Sequence, residues 1–413
     1  MKKAVIVGVE KFSKGMLEYY LDELENLASS LSIEIIKRFT QKNTLSSTPY
    51  KIGKGKVEEI HAFIQFESVD YIIFNEELTN TQIRNLEETL NTAVIDRTML
   101  ILETFTKRAK TKEAMLQVEI AQLKYLKPRL SALRTSFEQQ QGGIGQKGPG
   151  EKKLELDRRK IDKEIKTLQA SLKNIVKTRK VNRQKRSDSS IKNVAVVGYT
   201  NAGKTTLLNT LINHSQHHKE DQLKSEDRLF ATLETATRKI QLKDKKPFTL
   251  TDTIGFIAQL PHDLIDSFKA TLEEIKEADL LLHVIDFSHP YYLDQIHTTE
   301  TVLKELGVKE VNTLYVFNKI DLSNDFLPSQ FTPAVKVSLK EALNVDSLID
   351  KINEMLFIDD TPCIYKIPQD RGDIVNLLNE QSELIKQWYE EEYVFIKANV
   401  DKSLKAKLKS FEF

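Results

Sequence analysis

One cysteine, Cys363, stands in 413 residues, so no intrachain disulfide can staple the fold. That usage fits a reducing compartment. No run of 18 apolar residues occurs, which excludes a membrane-spanning helix of ordinary length. The segment MKKAVIVGVE starts basic, but its apolar run is short and Glu10 interrupts it. It reads as a first β-strand and not as a signal peptide. A cytoplasmic protein is expected, with a peripheral hold on the membrane left open. Net charge is nearly absent too: 61 Lys+Arg against 60 Asp+Glu leave +1, which by itself suggests no special partner.

Along the chain that balance breaks. Between Thr106 and Arg186, 23 basic residues face 8 acidic ones, an excess of +15, and the remainder carries −14. Such segregation argues for contact between one segment and a polyanion. A solvated pair of charged helices is the alternative. With 40% hydrophobic and 29% charged residues the chain is soluble and globular, and its length calls for two to four domains.

Residues 1–105 alternate strand and helix patterns, which implies a mainly parallel sheet covered by helices. Strands are expected at Ala4–Gly8, Ser32–Phe39, Tyr71–Phe74 and Thr92–Ile95, and helices at Gly15–Leu31, Lys56–Phe66 and Thr79–Leu90. Gly53-Lys54-Gly55-Lys56 lacks the spacing of a nucleotide loop and reads as a helix entry. Helical periodicity runs from about Met99 to Ser136, leading into the hairpin expected over residues 106–188. It resumes in a heptad seam of Leu154, Ile161, Ile165, Leu168, Leu172 and Ile175. The Gln- and Gly-rich stretch Gln139–Gly150 separates the two. An antiparallel hairpin is expected, with arms of about 30 residues projecting roughly 45 Å. Its tip has no apolar pattern and exposes backbone, which suits close approach to RNA. Arg129, Arg134, Lys147, Lys152, Lys153, Arg158 and Arg159 are the candidate phosphate ligands.

Residues 189–357 carry the densest chemistry. Val194–Val197 is a β-rich run entering Gly198-Tyr199-Thr200-Asn201-Ala202-Gly203-Lys204-Thr205, and a helix-forming run leaves it. This is the G-x-x-x-x-G-K-[ST] phosphate loop in its proper strand–helix context. Its glycines let successive N–H groups face an anion, together with the positive end of the following helix. Lys204 would reach the β- and γ-phosphates and the Thr205 hydroxyl would ligate Mg²⁺. Strands at Lys239–Lys243 and Phe248–Thr251 lead to Asp252-Thr253-Ile254-Gly255. There Asp252 would hold Mg²⁺ through water and the Gly255 N–H would sense the γ-phosphate. Between these lies Phe230-Ala231-Thr232-Leu233-Glu234, with Thr232 the best candidate to complete the Mg²⁺ shell, ahead of Thr235 and Thr237. Lys204, Thr232 and Gly255 are the catalytic candidates.

Strands at Leu280–Ile285 and Thr313–Phe317 follow, and the latter delivers Asn318-Lys319-Ile320-Asp321. An aspartate carboxylate there accepts from guanine N1–H and the 2-amino group, which adenine cannot match. Ser338-Leu339-Lys340, after Ala334–Val337, fits the loop behind the base. Any one of these motifs could be a surface turn. Five in order, each at the carboxyl end of a predicted strand, define a GTP/GDP site. Phe256 stands where Ras-like GTPases place a water-orienting glutamine. Since a phenyl ring cannot orient water, unassisted turnover should be slow. Asn201 resembles the residue that holds K⁺ in some cation-activated GTPases. The His214, His217 and His218 group has no cysteine or paired acid beside it and reads as loop rather than metal site. Residues 358–413 read strand (Cys363–Ile367), helix (Asp373–Trp388), strand (Tyr393–Ala398), helix, with Trp388 and Tyr389 as core.

Long blocks extend the match beyond shared GTPase motifs: YKIGKGKVEEI, FNEELTNTQIRNLEE, VIDRTMLILETFTKRAKTKEAMLQVEIAQLKYLKPRL, GGIGQKGPGEKKLELDRRKI, GYTNAGKTTLLN, LFATLE and DTIGF. Over nearly its whole length the chain resembles the HflX family, translation-factor-class GTPases of the Obg–HflX group. The resemblance implies an α/β multidomain fold: an N-terminal α/β domain, an antiparallel helical hairpin, a Ras-like G domain and a small α+β C-terminal domain. It implies binding to the 50S subunit and to 70S and 100S ribosomes, with the tip and N-terminal domain on 23S rRNA near the peptidyl-transferase region. It also implies splitting of stalled or hibernating ribosomes under stress such as heat, and GTP hydrolysis stimulated by the ribosome. A monomer is expected. Glu234-Thr235-Ala236 departs from an aspartate-proline-threonine-like run. ATP binding and RNA unwinding are attributed to some members, but no ATP motif is visible here. A nucleotide-gated RNA-binding module that blocks the ribosome without dissociating it is the competing class.

Overall fold

A computed structural model describes residues 1–10, 14–42, 49–130, 149–187, 191–215, 236–242, 246–258, 275–308, 311–323 and 326–413. The described residues divide into two compact units, one up to Val176 and one from Lys177.

In the first unit, strands β1 (Lys2–Glu10), β2 (Ile33–Lys42), β3 (Tyr71–Phe74) and β4 (Ala93–Asp96) form a parallel sheet in the order β2-β1-β3-β4. The uninterrupted apolar run of β1 marks a strand covered on both faces, and its central six residues are buried. Helices α1 (Lys14–Ser30), α2 (Lys54–Phe66) and α3 (Asn80–Leu90) supply the cover. Val5, Val7, Ile72 and Phe74 meet Val57, Ile60 and Leu86 in one core. A capping box between Thr79 and Gln82 starts α3.

The continuous helical stretch expected from Met99 is broken in two. Helix α4 (Arg97–Arg108) ends where Ala109 turns extended, and α5 (Lys112–Leu126) starts afresh because the Thr111 hydroxyl accepts from the Ala114 N–H. Helix α6 (Pro149–Ser187) runs 39 residues, about 60 Å. Ile165 is buried on its seam, and Ile161, Leu168, Leu172 and Ile175 are half-buried. Lys127 pairs with Asp162 at 2.5 Å, joining the end of α5 to α6. Of the expected tip, Gln139–Gly150, residues 139–148 lie outside the described residues, and Pro149 and Gly150 open α6.

In the second unit a six-stranded sheet runs β10-β9-β8-β5-β7-β6. Its strands are β5 (Lys192–Gly198), β6 (Ala236–Ile240), β7 (Phe248–Asp252), β8 (Leu280–Asp286), β9 (Thr313–Asn318) and β10 (Ala334–Lys336). Only β6 is antiparallel, to β7. Helices α7 (Lys204–Asn213), α8 (Tyr292–Glu305) and α9 (Val345–Leu356) accompany it, and Leu207, Leu211, Leu348 and Ile352 pack onto Val196, Leu250 and Leu282.

Strands β11 (Thr361–Pro368), β12 (Glu383–Glu390) and β13 (Tyr393–Val400) make a separate antiparallel sheet in the order β11-β13-β12, with helices α10 (Gly372–Gln381) and α11 (Lys402–Lys407). The helix expected at Asp373–Trp388 therefore stops at Gln381. Ser382 turns extended, and the alternating sequence that follows finds a strand partner in β13, which outweighs local helix propensity. Tyr389, expected in the core, is 67% exposed, and Trp388 is half-buried. The α/β multidomain class is as expected.

Candidate nucleotide site

The carboxyl ends of parallel strands β5, β7 and β9 converge on one place, where doubly wound sheets present their ligand sites. After β5 the chain needs two glycines. Gly198 has φ +146°, and a Cβ there would sit 2.2 Å from the Val284 carbonyl oxygen. Gly203 has φ +102°, and its Cβ would fall 2.3 Å from Asn318 Nδ2. Asn201 takes φ +61°, a conformation asparagine tolerates, and is exposed. The loop thus closes over itself and opens into α7.

Lys204, first residue of α7, is buried and donates to the Tyr199 carbonyl at 2.6 Å. Burial lowers its ammonium to about 8, with Asp252 pulling the other way. The Thr205 hydroxyl donates to Asp252 Oδ2 at 3.2 Å. Two hard oxygen donors therefore lie side by side at the end of β7, the type of pair a divalent cation selects. Thr253 is anchored through its hydroxyl to the Val196 carbonyl at 2.6 Å.

Beyond it the chain folds back on the phosphate loop. The Phe256 N–H donates to the Gly198 carbonyl at 3.1 Å, and the Thr200 N–H donates to the Phe256 carbonyl at 2.7 Å. The Tyr199 hydroxyl accepts from the Ala258 N–H at 2.7 Å. Gly255 is packed so close that a Cβ would come within 2.9 Å of Lys204 Nζ. Any movement of Gly255 is thereby coupled to Gly198 and Thr200.

Asn318 ties two loops together. Its Nδ2 donates to the Ala202 carbonyl at 2.9 Å, and its Oδ1 accepts from the Leu339 N–H at 3.1 Å. Lys319 has φ +63° and reaches Asp286 Oδ2 at 2.6 Å. Ile320–Leu322 is a single 3-10 turn in which Asp321 is exposed. Ser338 is buried, its hydroxyl accepting from the Glu341 N–H at 3.2 Å, while Lys340 is exposed. The residues from Gly198 to Thr205, Asp252 to Gly255, Asn318 to Asp321 and Ser338 to Lys340 are therefore brought to one rim. Phe230, Ala231, Thr232, Leu233 and Glu234 lie outside the described residues.

Two residues, Asp286 and His283, escaped sequence reasoning, as did one contact of Tyr199. Asp286 holds Lys319, and the strand register that sets it opposite Asn318 is not written in the sequence. The Tyr199 hydroxyl clasps the segment after Gly255. His283 lies in β8, with burial and the Lys204 charge lowering its ring to about 3, so it stays neutral. A cavity of about 180 Å³ elsewhere in this unit is lined by Lys192, Lys239 and Lys246 but also by Asp360, Glu380 and Asp401, so it offers no net anion site.

One expectation needs correction. Arg129 is not available as a phosphate ligand. Its guanidinium, only 11% exposed, pairs with Asp96 at 2.9 Å, lies 3.3 Å from the Tyr125 ring centroid, and donates to the Leu78 and Tyr125 carbonyls. Stripping those partners would strand the buried Asp96 carboxylate. Arg158 and Arg159 are exposed on α6, the latter paired to Glu155 at 2.7 Å. Arg134 and Lys147 lie outside the described residues, as do the side chains of Lys152 and Lys153.

Fold and site together define a phosphate-loop GTPase. Residues 18–106 match the family model described as GTP-binding GTPase N-terminal, residues 108–186 the GTP-binding GTPase middle region, and residues 193–319 the 50S ribosome-binding GTPase. The GTPase HflX of Caldanaerobacter subterraneus subsp. tengcongensis is 42% identical over 99% of this chain and 94% of its own. That of Lacrimispora saccharolytica is 40% identical over 98% and 94%. The solved structure described as SsGBP and GDP complex is 24% identical, with TM-score 0.48, over 86% of this chain and 98% of its own. The chain belongs to the GTPase HflX family. It binds guanine nucleotide and hydrolyses GTP.

Proposed function

We propose that this GTPase docks on the large ribosomal subunit and splits stalled or hibernating 70S and 100S ribosomes in the cytoplasm, under stress such as heat. The carrying observation is the direct bonding of the Gly255–Ala258 segment to the phosphate loop, which lets phosphate occupancy govern a surface segment. The loop from Gly198 to Thr205 receives the phosphates and Lys204 neutralises their charge. Asp321 selects guanine, with Asn318, Lys319, Ile320, Ser338, Leu339 and Lys340 shaping the base pocket, and Phe230–Glu234 forms the first switch. Thr205, Asp252 and Thr232 would hold Mg²⁺, which supplies charge neutralisation on the phosphates. Asn201, exposed at the loop's bend, is the candidate to hold K⁺.

Phe256 is buried, 2% exposed, and carries no group to orient water, so turnover should wait for the ribosome. The excess of +15 between Thr106 and Arg186 supports rRNA contact by a hairpin of residues 106–188, alongside the sheet domain of residues 1–105. The G domain is placed at 189–357 and the small domain at 358–413. The protein acts as a monomer. Sucrose gradients test the splitting: with GTP present, 70S or 100S particles should convert to subunits. Particles that stay intact while the protein co-sediments would instead favour a blocking factor.

A further inference from the structure

Among the described residues, the C-terminal sheet packs its hydrophobic core on one face. Cys363, Tyr365, Ile367, Ile396 and Ala398 point into a core closed by Ile374 and Leu378 of α10 and Leu404 of α11. Cross-strand register puts Lys366 beside Phe395, Phe395 beside Trp388, and Lys397 beside Lys386 on the opposite face. An irregularity between Leu384 and Lys386 brings this about. Leu384 faces the core, and one residue is skipped before Lys386 and Trp388 line up outward.

The face combines flat rings with positive charge. Trp388 stacks on Phe395, centroids 5.4 Å apart and planes 11° apart, and Phe413 meets Phe395 edge-on at 5.5 Å. Phe413 is 76% exposed, so its outer ring face is accessible. Lys366 Nζ lies 4.2 Å from the Tyr393 ring centroid, and Lys386 Nζ lies 5.5 Å from that of Trp388. Among the described residues none of Lys366, Lys386 and Lys397 makes an ion pair. The two acids at the ends of β12 already accept hydrogen bonds, Glu390 from Trp388 Nε1 at 3.0 Å and Glu383 from Asn399 Nδ2 at 2.9 Å.

We infer that this open face is a docking platform for single-stranded RNA, with bases stacking on Trp388 and Phe413 and the three lysines meeting phosphates. Sheet-borne aromatics flanked by cations are the general solution for unpaired strands, because every base has a π-face and every linkage a charge. Three lysines without an ion pair among the described residues outnumber the two acids on this face, Glu383 and Glu390, which is more cation than an apolar protein partner needs. The nucleic-acid assignment stands apart from ribosome splitting; the choice of RNA over DNA rests on the ribosome reading.

Trp388 is the only tryptophan, so its emission reports this face and no other. Titrating the full chain with a 12-nucleotide oligo(A) RNA should quench it saturably. With three phosphates neutralised, log affinity should fall with log salt at a slope near −2, from about 0.7 per contact. Lys366→Gln with Lys386→Gln should weaken binding about tenfold and flatten that slope, with nucleotide affinity unchanged as the check on folding. Unquenched emission while a labelled oligo(A) binds elsewhere would overturn the platform. Quenching indifferent to salt and to both lysines would overturn it too, since the lysines would then meet no phosphates. Tighter quenching by oligo(dA) than by oligo(A) would overturn the choice of RNA. Failure of the gradient experiment alone would leave all these outcomes readable.

Discussion

At the scale of single residues, Lys204 and the pair Asn318 and Asp321 make separable predictions. Free of nucleotide, Lys204 loses its proton near pH 8, whereas bound phosphates favour the charged form. Below that pH the lysine is charged in both states and affinity should be flat. Above it, binding must take up a proton, so GDP affinity should fall by up to about tenfold per pH unit. Titration with a fluorescent GDP analogue from pH 7 to 9.5 checks this; a flat profile throughout contradicts it. Asn318 is buried with both amide atoms engaged between loops, so Asn318→Ala should lower stability by roughly 1–3 kcal/mol as well as affinity. Asp321 is exposed, so Asp321→Asn should leave the melting temperature unchanged and abolish the preference for GTP over ATP. Equal melting losses in the two variants would show that the motif acts as one structural unit.

At the scale of elements, Asp96 is the joint of the first unit. It caps α4 through Met99 N–H, accepts from Leu78 N–H, and receives Tyr125 of α5 at 2.5 Å and Arg129, just beyond α5, at 2.9 Å. Its removal would leave the largely buried Arg129 guanidinium without its counter-charge, held only by two carbonyls and the Tyr125 ring. Asp96→Ala should cost about 3–5 kcal/mol, seen as loss of hydrogen-exchange protection across α4 and α5. A change below about 1 kcal/mol would mean the joint is dispensable. The β-α alternation of residues 1–105 and the strands delivering the nucleotide motifs were legible because apolar runs and turn chemistry agree there. Arg129 was misread because a basic residue in a basic segment looks solvated. Only the fold brings Asp96, 33 positions away, beneath it. Likewise Lys386 to Trp388 reads as helix until β13 offers its edge, a pairing that no local pattern encodes. The phosphate-loop glycines were legible, but the Tyr199 clasp on Ala258 was not, since its partner is a backbone N–H.

At the scale of the molecule, near-zero net charge hides a segment of +15 against a remainder of −14. In the proposed function the basic part meets a polyanion while the nucleotide site, on other residues, sets when. In that reading Phe256, directly after Gly255, cannot orient water, so the timing depends on the partner. The most direct test is the GTP hydrolysis rate of the purified protein with and without purified large ribosomal subunits. Slow turnover alone, rising at least tenfold with subunits, is the result expected; brisk turnover indifferent to ribosomes would contradict it.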